Sequence, residues 1–229
     1  MKYPPRTIAL LCELFHPPLE PSPAHVQRVH NELFQTPDPA YKSFTVAPNG
    51  AVLSNPATRP GEVSTASFLP DRFQFREELT SLTVEEFAAR VRDISARVAH
   101  LSGVQVFTAQ QVTVRTLINP RHFRDSRQYL KEGMFGFGDE PEAFGRTPEL
   151  YGLRLVFPPT PEVPNAHALR IESFSSDPRS LFLEDQASFA PVLVARGLDL
   201  LAENVEATYA FLVERSLAFV ACFDTSPQA

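Results

Sequence analysis

Apolar residues recur along this chain with two periods, and the switches between them outline a mixed α and β fold. Phe87, Val91, Ile94, Val98 and Leu101 follow one another at spacings of 4, 3, 4 and 3. That is the 3.6-residue repeat of an amphipathic helix. Glu85, Arg90, Arg92, Asp93 and Arg97 cover its other faces. Thr83 and Glu86 form a T-x-x-E capping box at the start, and Gly103 supplies a C-terminal stop. A matching stripe of Leu198, Leu201, Val205, Tyr209 and Leu212 predicts a second long helix continuing towards Phe219 and Phe223. Two shorter helices open with a polar residue before proline. Ser22-Pro23 leads Val26, Val29 and Leu33, and Asn119-Pro120 leads Phe123 and Leu130, with Gly133 at the end.

The other period is two, the mark of strands. Residues 7–15 form an apolar run bounded by prolines, and residues 43–54 hold two short strands around the hairpin pair Asn49-Gly50. Residues 64–77 include the alternating Asp71-Arg72-Phe73-Gln74-Phe75-Arg76. Residues 104–118, 150–157 and 168–189 complete the set. Residues 6–102 therefore read strand, helix, strands, long helix, and residues 104–223 read the same way again. The expected fold class is α+β. Two duplicated strand-helix-strand-strand-helix units form one antiparallel sheet, with the two long helices packed on one face. The chain is expected to be a single pseudo-symmetric domain over residues 1–229, since no linker composition marks a division near Gly103. The uncovered sheet face must then be solvated, roofed by loops, or turned towards a groove or a second copy of the chain.

Composition sharpens this picture. Proline is 22 of 229 residues and glycine only 9, against usual shares of ~5% and ~7%. The prolines avoid residues 71–119 and 192–226, where the main helices and several strands are expected. They bracket elements, because proline breaks helix interiors and central strands. The net charge is −6, which argues against a dedicated duplex-binding domain. Cys12 and Cys222 lie in apolar runs and read as small core hydrophobes. Lys2 and Arg6 precede an apolar run, but Glu13 interrupts it and no small-x-small site follows, so no signal peptide is expected. No uncharged apolar run approaches the ~20 residues needed to span a bilayer, and the expected location is the cytoplasm.

Tyr3-Pro4-Pro5 before the strand 8–15, Asp71-Arg72-Phe73-Gln74-Phe75 leading into a long helix, and a strand ending Leu117-Ile118-Asn119-Pro120 occur in that order. This arrangement resembles a sporadically distributed family of uncharacterised bacterial proteins of similar length. The resemblance implies a fold and a bacterial origin. It implies no activity.

Two places carry candidate binding chemistry. Residues 133–149 hold four of the glycines (Gly133, Gly136, Gly138, Gly145) together with Phe135, Phe137 and Phe144. That is a close-approach loop, or a loop that lays its rings on the core. Just before it, Arg115, Arg121, Arg124, Arg127 and Lys131 outnumber Asp125. Arg121, Arg124, Arg127 and Lys131 are spaced 3, 3 and 4, as on one face of a short third helix. Such a face suits a phosphate, a nucleic acid or an acidic partner; it is equally a solvated face neutralised by Asp139, Glu140 and Glu142. The histidines show no H-x-x-x-H spacing, no G-x-S-x-G occurs, and Cys12 lies in an apolar strand. No metal, cofactor or catalytic residue is expected. The reading is a non-enzymatic interaction or adaptor protein in a bacterial cytoplasmic assembly, with another protein or a second copy as partner. A small-molecule or nucleotide-binding enzyme with a groove between the halves is the alternative, and a nucleic-acid saddle the third.

Overall fold

A computed structural model describes residues 3–20 and 22–225, with Glu142 described in its backbone only. Lys2 and Ser226, which figure in the reading of the termini, lie outside the described residues. Strand β1 (Arg6–Phe15) is followed by helix α1 (Pro23–Leu33), then β2 (Ser43–Ala47), β3 (Gly50–Ser54), β4 (Val63–Phe68), β5 (Arg72–Glu78) and the long helix α2 (Val84–Ser102). The second half begins with β6 (Val106–Phe107) and β7 (Ala109–Ile118), then a short helix α3 (Ser126–Gln128) that runs into a π-helical turn, Tyr129–Met134. Strands β8 (Gly152–Phe157), β9 (Ala166–Ser173), β10 (Leu181–Phe189) and β11 (Val192–Leu193) lead to helix α4 (Asp199–Ala210). A second π-helical turn, Phe211–Ser216, joins α4 to helix α5 (Leu217–Phe223).

Nine strands form one sheet in the order β2-β3-β4-β5-β1-β7-β10-β9-β8, and every pairing is antiparallel. β6 and β11 pair separately. Each half starts at the centre, with β1 or β7, crosses to an edge and returns strand by strand. The two halves follow a similar course with unequal strand numbers, five against four, and the expected duplication is not established by it.

Alternation sorts each strand into a dry and a wet side. Leu10, Cys12 and Leu14 of β1, Phe73 and Phe75 of β5, Val112 and Val114 of β7, and Leu169 and Ile171 of β9 turn inward and are buried. Phe87, Val91, Ile94 and Val98 of α2 and Leu201 and Val205 of α4 join the same core. Both long helices therefore lie on one face. Two polar links fix them there. Arg90 of α2 reaches Glu77 of β5 at 2.9 Å, and Gln110 of β7 accepts from Asn204 at 2.7 Å and donates to the Leu201 carbonyl at 2.9 Å. The outer face carries a row of ion pairs instead: Arg115 to Glu184 at 2.6 Å and to Glu78 at 3.7 Å, and Arg170 to Glu184 at 3.6 Å.

The capping box at Thr83 is present, with Glu86 N donating to Thr83 Oγ1 and Thr83 N to Glu86 Oε2, and Gly103 ends α2 at φ 73°. Three expectations are corrected. The hairpin loop is Pro48-Asn49 rather than Asn49-Gly50, because Ala47 pairs with Gly50. Gly50 sits at φ +149° against β4, where a Cβ would fall 2.0 Å from the Phe68 carbonyl oxygen. The stripe on the last helix changes phase at the second π-helical turn, whose extra residue per turn rotates the side chains beyond it. Leu212, Leu217 and Val220 continue the core, while Phe219 and Phe223 are half-buried and pack edge-on at 5.2 Å. Cys222 is exposed, unlike Cys12.

Gly50→Ala should lower stability by roughly 1–3 kcal/mol, the scale of backbone strain that tertiary structure must absorb; chemical denaturation measures it. Burial pushes the Cys12 thiol up to about 12, against a weak opposing hydrogen bond from Gln110. A thiol-titrating disulfide reagent at pH 8 should therefore label Cys222 alone in the native protein, and Cys12 only after unfolding.

Candidate functional site

A wide concavity lies against the segment that joins β7 to β8. It has a volume of about 950 Å³, and its lining includes Arg124, Arg127, Lys131, Arg146, Asp125 and Glu132. One wall is α3 with its π-helical turn. Asp125 caps α3 by accepting from Gln128 N at 2.8 Å, so the helix begins at Ser126 and not at Asn119-Pro120. The other wall is the glycine-rich loop, where positive φ at Gly136 (65°) and Gly145 (67°) lets the chain fold back. That loop contributes Pro141, Gly145, Arg146, Thr147 and Pro148 to the lining.

The structure divides the seven residues singled out from sequence. Arg124, Arg127 and Lys131 line the basin. Arg124 pairs with Asp125 at 3.3 Å, and Glu132 accepts from Gln128 at 2.9 Å. Arg127, Lys131 and Arg146 have no ion pair among the described residues, which leaves three uncompensated cations around the basin. Glu140 is engaged with the Gly138 amide, and the side chain of Glu142 lies outside the described set. Arg121 and Arg124 precede α3, so the four cations do not share one helix face. Arg121 lies over the Tyr3 ring at 5.6 Å. Arg115 belongs to the outer face of the sheet, held by Glu184 and Glu78. Phe135 and Phe137 pack on each other at 5.2 Å, Phe135 half-buried against the core, and neither lines the basin.

Sequence reasoning missed Arg146, which carried a signal all the same: it lies inside the glycine loop already marked. It also missed the buried pair His167 and Asp185. His167 Nδ1 lies 2.8 Å from Asp185 Oδ2, its Nε2 lies 2.9 Å from the Asn165 amide, and its ring stacks on Phe211 at 3.9 Å. Both imidazole nitrogens are occupied and His167 is 6% exposed. The alternation His167, Leu169, Ile171 on β9 marks it as inward-facing. It joins β9 and β10 to the second π-helical turn as a packing element. Among the described residues no group of three or more His, Cys, Asp or Glu side chains is placed to hold a metal ion. No helix among them is long and apolar enough to cross a membrane.

The segment between β7 and α3 is tied to Asp224 and Tyr3. Asp224 accepts from the Tyr3 hydroxyl at 2.6 Å and from the amides of Arg121 and His122 at 2.8 and 2.9 Å. Burial by itself would raise its pKa, but these donors outweigh burial and hold the carboxyl below its ordinary 3.8. A carboxyl with a lowered folded pKa adds stability above its ordinary value, and that contribution is lost as pH falls through the folded value. Asp224→Ala should cost about 3 kcal/mol at pH 7, since hydrogen bonds to a charged group are worth ~1.5–3 each and are not additive. The difference from the wild type should shrink below about pH 4 as the wild-type carboxyl protonates, read by urea melts across pH.

No family model matches this chain, and no curated protein is significantly similar to it.

Proposed function

We propose that this is a non-enzymatic interaction protein whose basin holds an acidic segment of another protein. The observation that carries the reading is the set of three cations, Arg127, Lys131 and Arg146, with no ion pair among the described residues, around one wide concavity in a chain of net charge −6. Unpaired guanidinium groups favour carboxylates, which they grip bidentately. The volume, about 950 Å³, sits at the top of the range for small-molecule pockets, ~300–1,000 Å³. Its lining is largely polar and charged, where small-molecule sites are usually apolar. A stretch of acidic chain fills such a basin more naturally than a compact metabolite. The resemblance noted above supports a bacterial origin.

A labelled peptide with alternating Glu and Ser should bind in fluorescence anisotropy and weaken as salt is raised. Arg127→Ala or Lys131→Ala should each reduce affinity about 1.5- to 5-fold, since an exposed charge pair contributes ~0.2–1 kcal/mol. The double reversal Arg127→Glu/Lys131→Glu should abolish binding. Tight binding of ATP with none of the peptide would overturn the reading in favour of a nucleotide site; binding of single-stranded RNA with none of the peptide would favour the saddle.

A further inference from the structure

A second polar cavity, of about 190 Å³, lies on the other half of the molecule between the start of α2 and the β3–β4 connection. Its lining includes Lys42, Thr58, Ser64, Glu77, Ser81 and Arg90. At its base, Glu77 is 2% exposed. Three donors converge on one of its oxygens: Ser64 and Arg90 Nη1 reach Oε1 at 2.9 Å each, and the Tyr41 hydroxyl at 3.3 Å. The other oxygen, Oε2, has no hydrogen-bond partner among the described residues. With no donor from the described residues, that oxygen is an open acceptor for water or for a ligand in the cavity. Lys42 lines the same cavity, and its exposed ammonium has no ion pair or hydrogen bond among the described residues. Glu62, the other carboxylate in the lining, is occupied by the amides of Thr58 and Arg59 and the Thr58 hydroxyl.

The charges of the cavity therefore cancel, Lys42 and Arg90 against Glu62 and Glu77, yet one acceptor and one cation are left open. Two residues beyond Glu77, Leu79 holds φ +51°, a conformation that L side chains rarely adopt and that tertiary structure must enforce. Its amide donates to the Ile8 carbonyl at 2.9 Å, and its own carbonyl accepts from Arg59. This fixes the turn that carries Thr80 and Ser81 to the cavity.

We propose that this cavity binds a small zwitterion of amino-acid size, with its ammonium group donating to Glu77 Oε2 and its carboxylate facing Lys42. Cavities of drug-sized ligands run from ~300 Å³ upwards, so the volume selects a ligand of a few carbons. A simple anion meets Lys42 but not the carboxylate; a simple amine meets Glu77 and leaves Lys42 unanswered.

The test compares glycine, β-alanine and 4-aminobutyrate with ethylamine and acetate, in thermal melts and in amide NMR titrations of the full chain. One of the zwitterions should give saturating shifts at the Thr80 and Ser81 amides. It should also raise Tm by about 5–10 °C at a hundredfold excess over Kd, well above either monofunctional probe. Lys42→Ala, at an exposed side chain, should reduce that response to the level of ethylamine, and Glu77→Gln should remove both. If Glu77→Gln fails to fold, the Lys42→Ala comparison decides alone. Shifts that do not saturate for any zwitterion, or a response unchanged in Lys42→Ala, would overturn the proposal.

Discussion

The pairing of β1 with β7 is the joint on which the rest of the molecule depends. It is the one ladder that links the two halves of the sheet. Remove it, and a five-stranded and a four-stranded sheet each expose a long central edge, which proteins otherwise take care to cover. The joint also fixes which face is dry. Because side chains alternate, the register that opposes Cys12 to Val112 and Leu10 to Val114 sends both strands' apolar residues to the same side. A slip of one residue would turn that face to water and leave α2 and α4 nothing to cover.

From that choice comes the placement of both candidate sites. With the helices on one face and ion pairs along the other, ligand-sized space remains at the ends of the strands and under the crossovers. The basic basin lies at the second-half crossover, where the chain leaves the central β7 for the edge strand β8. The smaller cavity lies where β5 hands over to α2. Two buried carboxylates mark these regions, Asp224 holding the backbone just after β7 and Glu77 lining the smaller cavity. Asp224 is fully engaged, and Glu77 keeps an oxygen in reserve. The first is a support for backbone; the second has the chemistry of a receptor.

Much of this was legible in local patterns. The capping box of α2, the apolar stripe from Phe87 to Val98 and the strand alternation appear where spacing places them, because each depends on residues within a turn or two of one another. Arg124, Arg127 and Lys131 were legible for the same reason, as a dense local run. What was illegible rests on longer-range competition. The face expected on α3 failed because Asp125, four residues before Tyr129, captured the helix start, and because the chain ends claimed the Arg121 and His122 amides. The phase of the last helix failed because the π-helical turn Phe211–Ser216 inserts an extra residue per turn that the apolar spacing on either side does not announce.

By itself, the sequence determined the class of fold: an α+β chain with an antiparallel sheet and its long helices. These follow from periodicity and from prolines that can stand only at boundaries. Tertiary structure decided which polar groups were left unsatisfied. Arg115 and Arg121 read like their neighbours along the chain, yet partners distant in sequence neutralise one and stack the other. Arg127, Lys131, Arg146 and one oxygen of Glu77 find no such partner among the described residues. A charge is available for binding only when folding brings nothing to meet it, and residues a hundred positions away control that outcome.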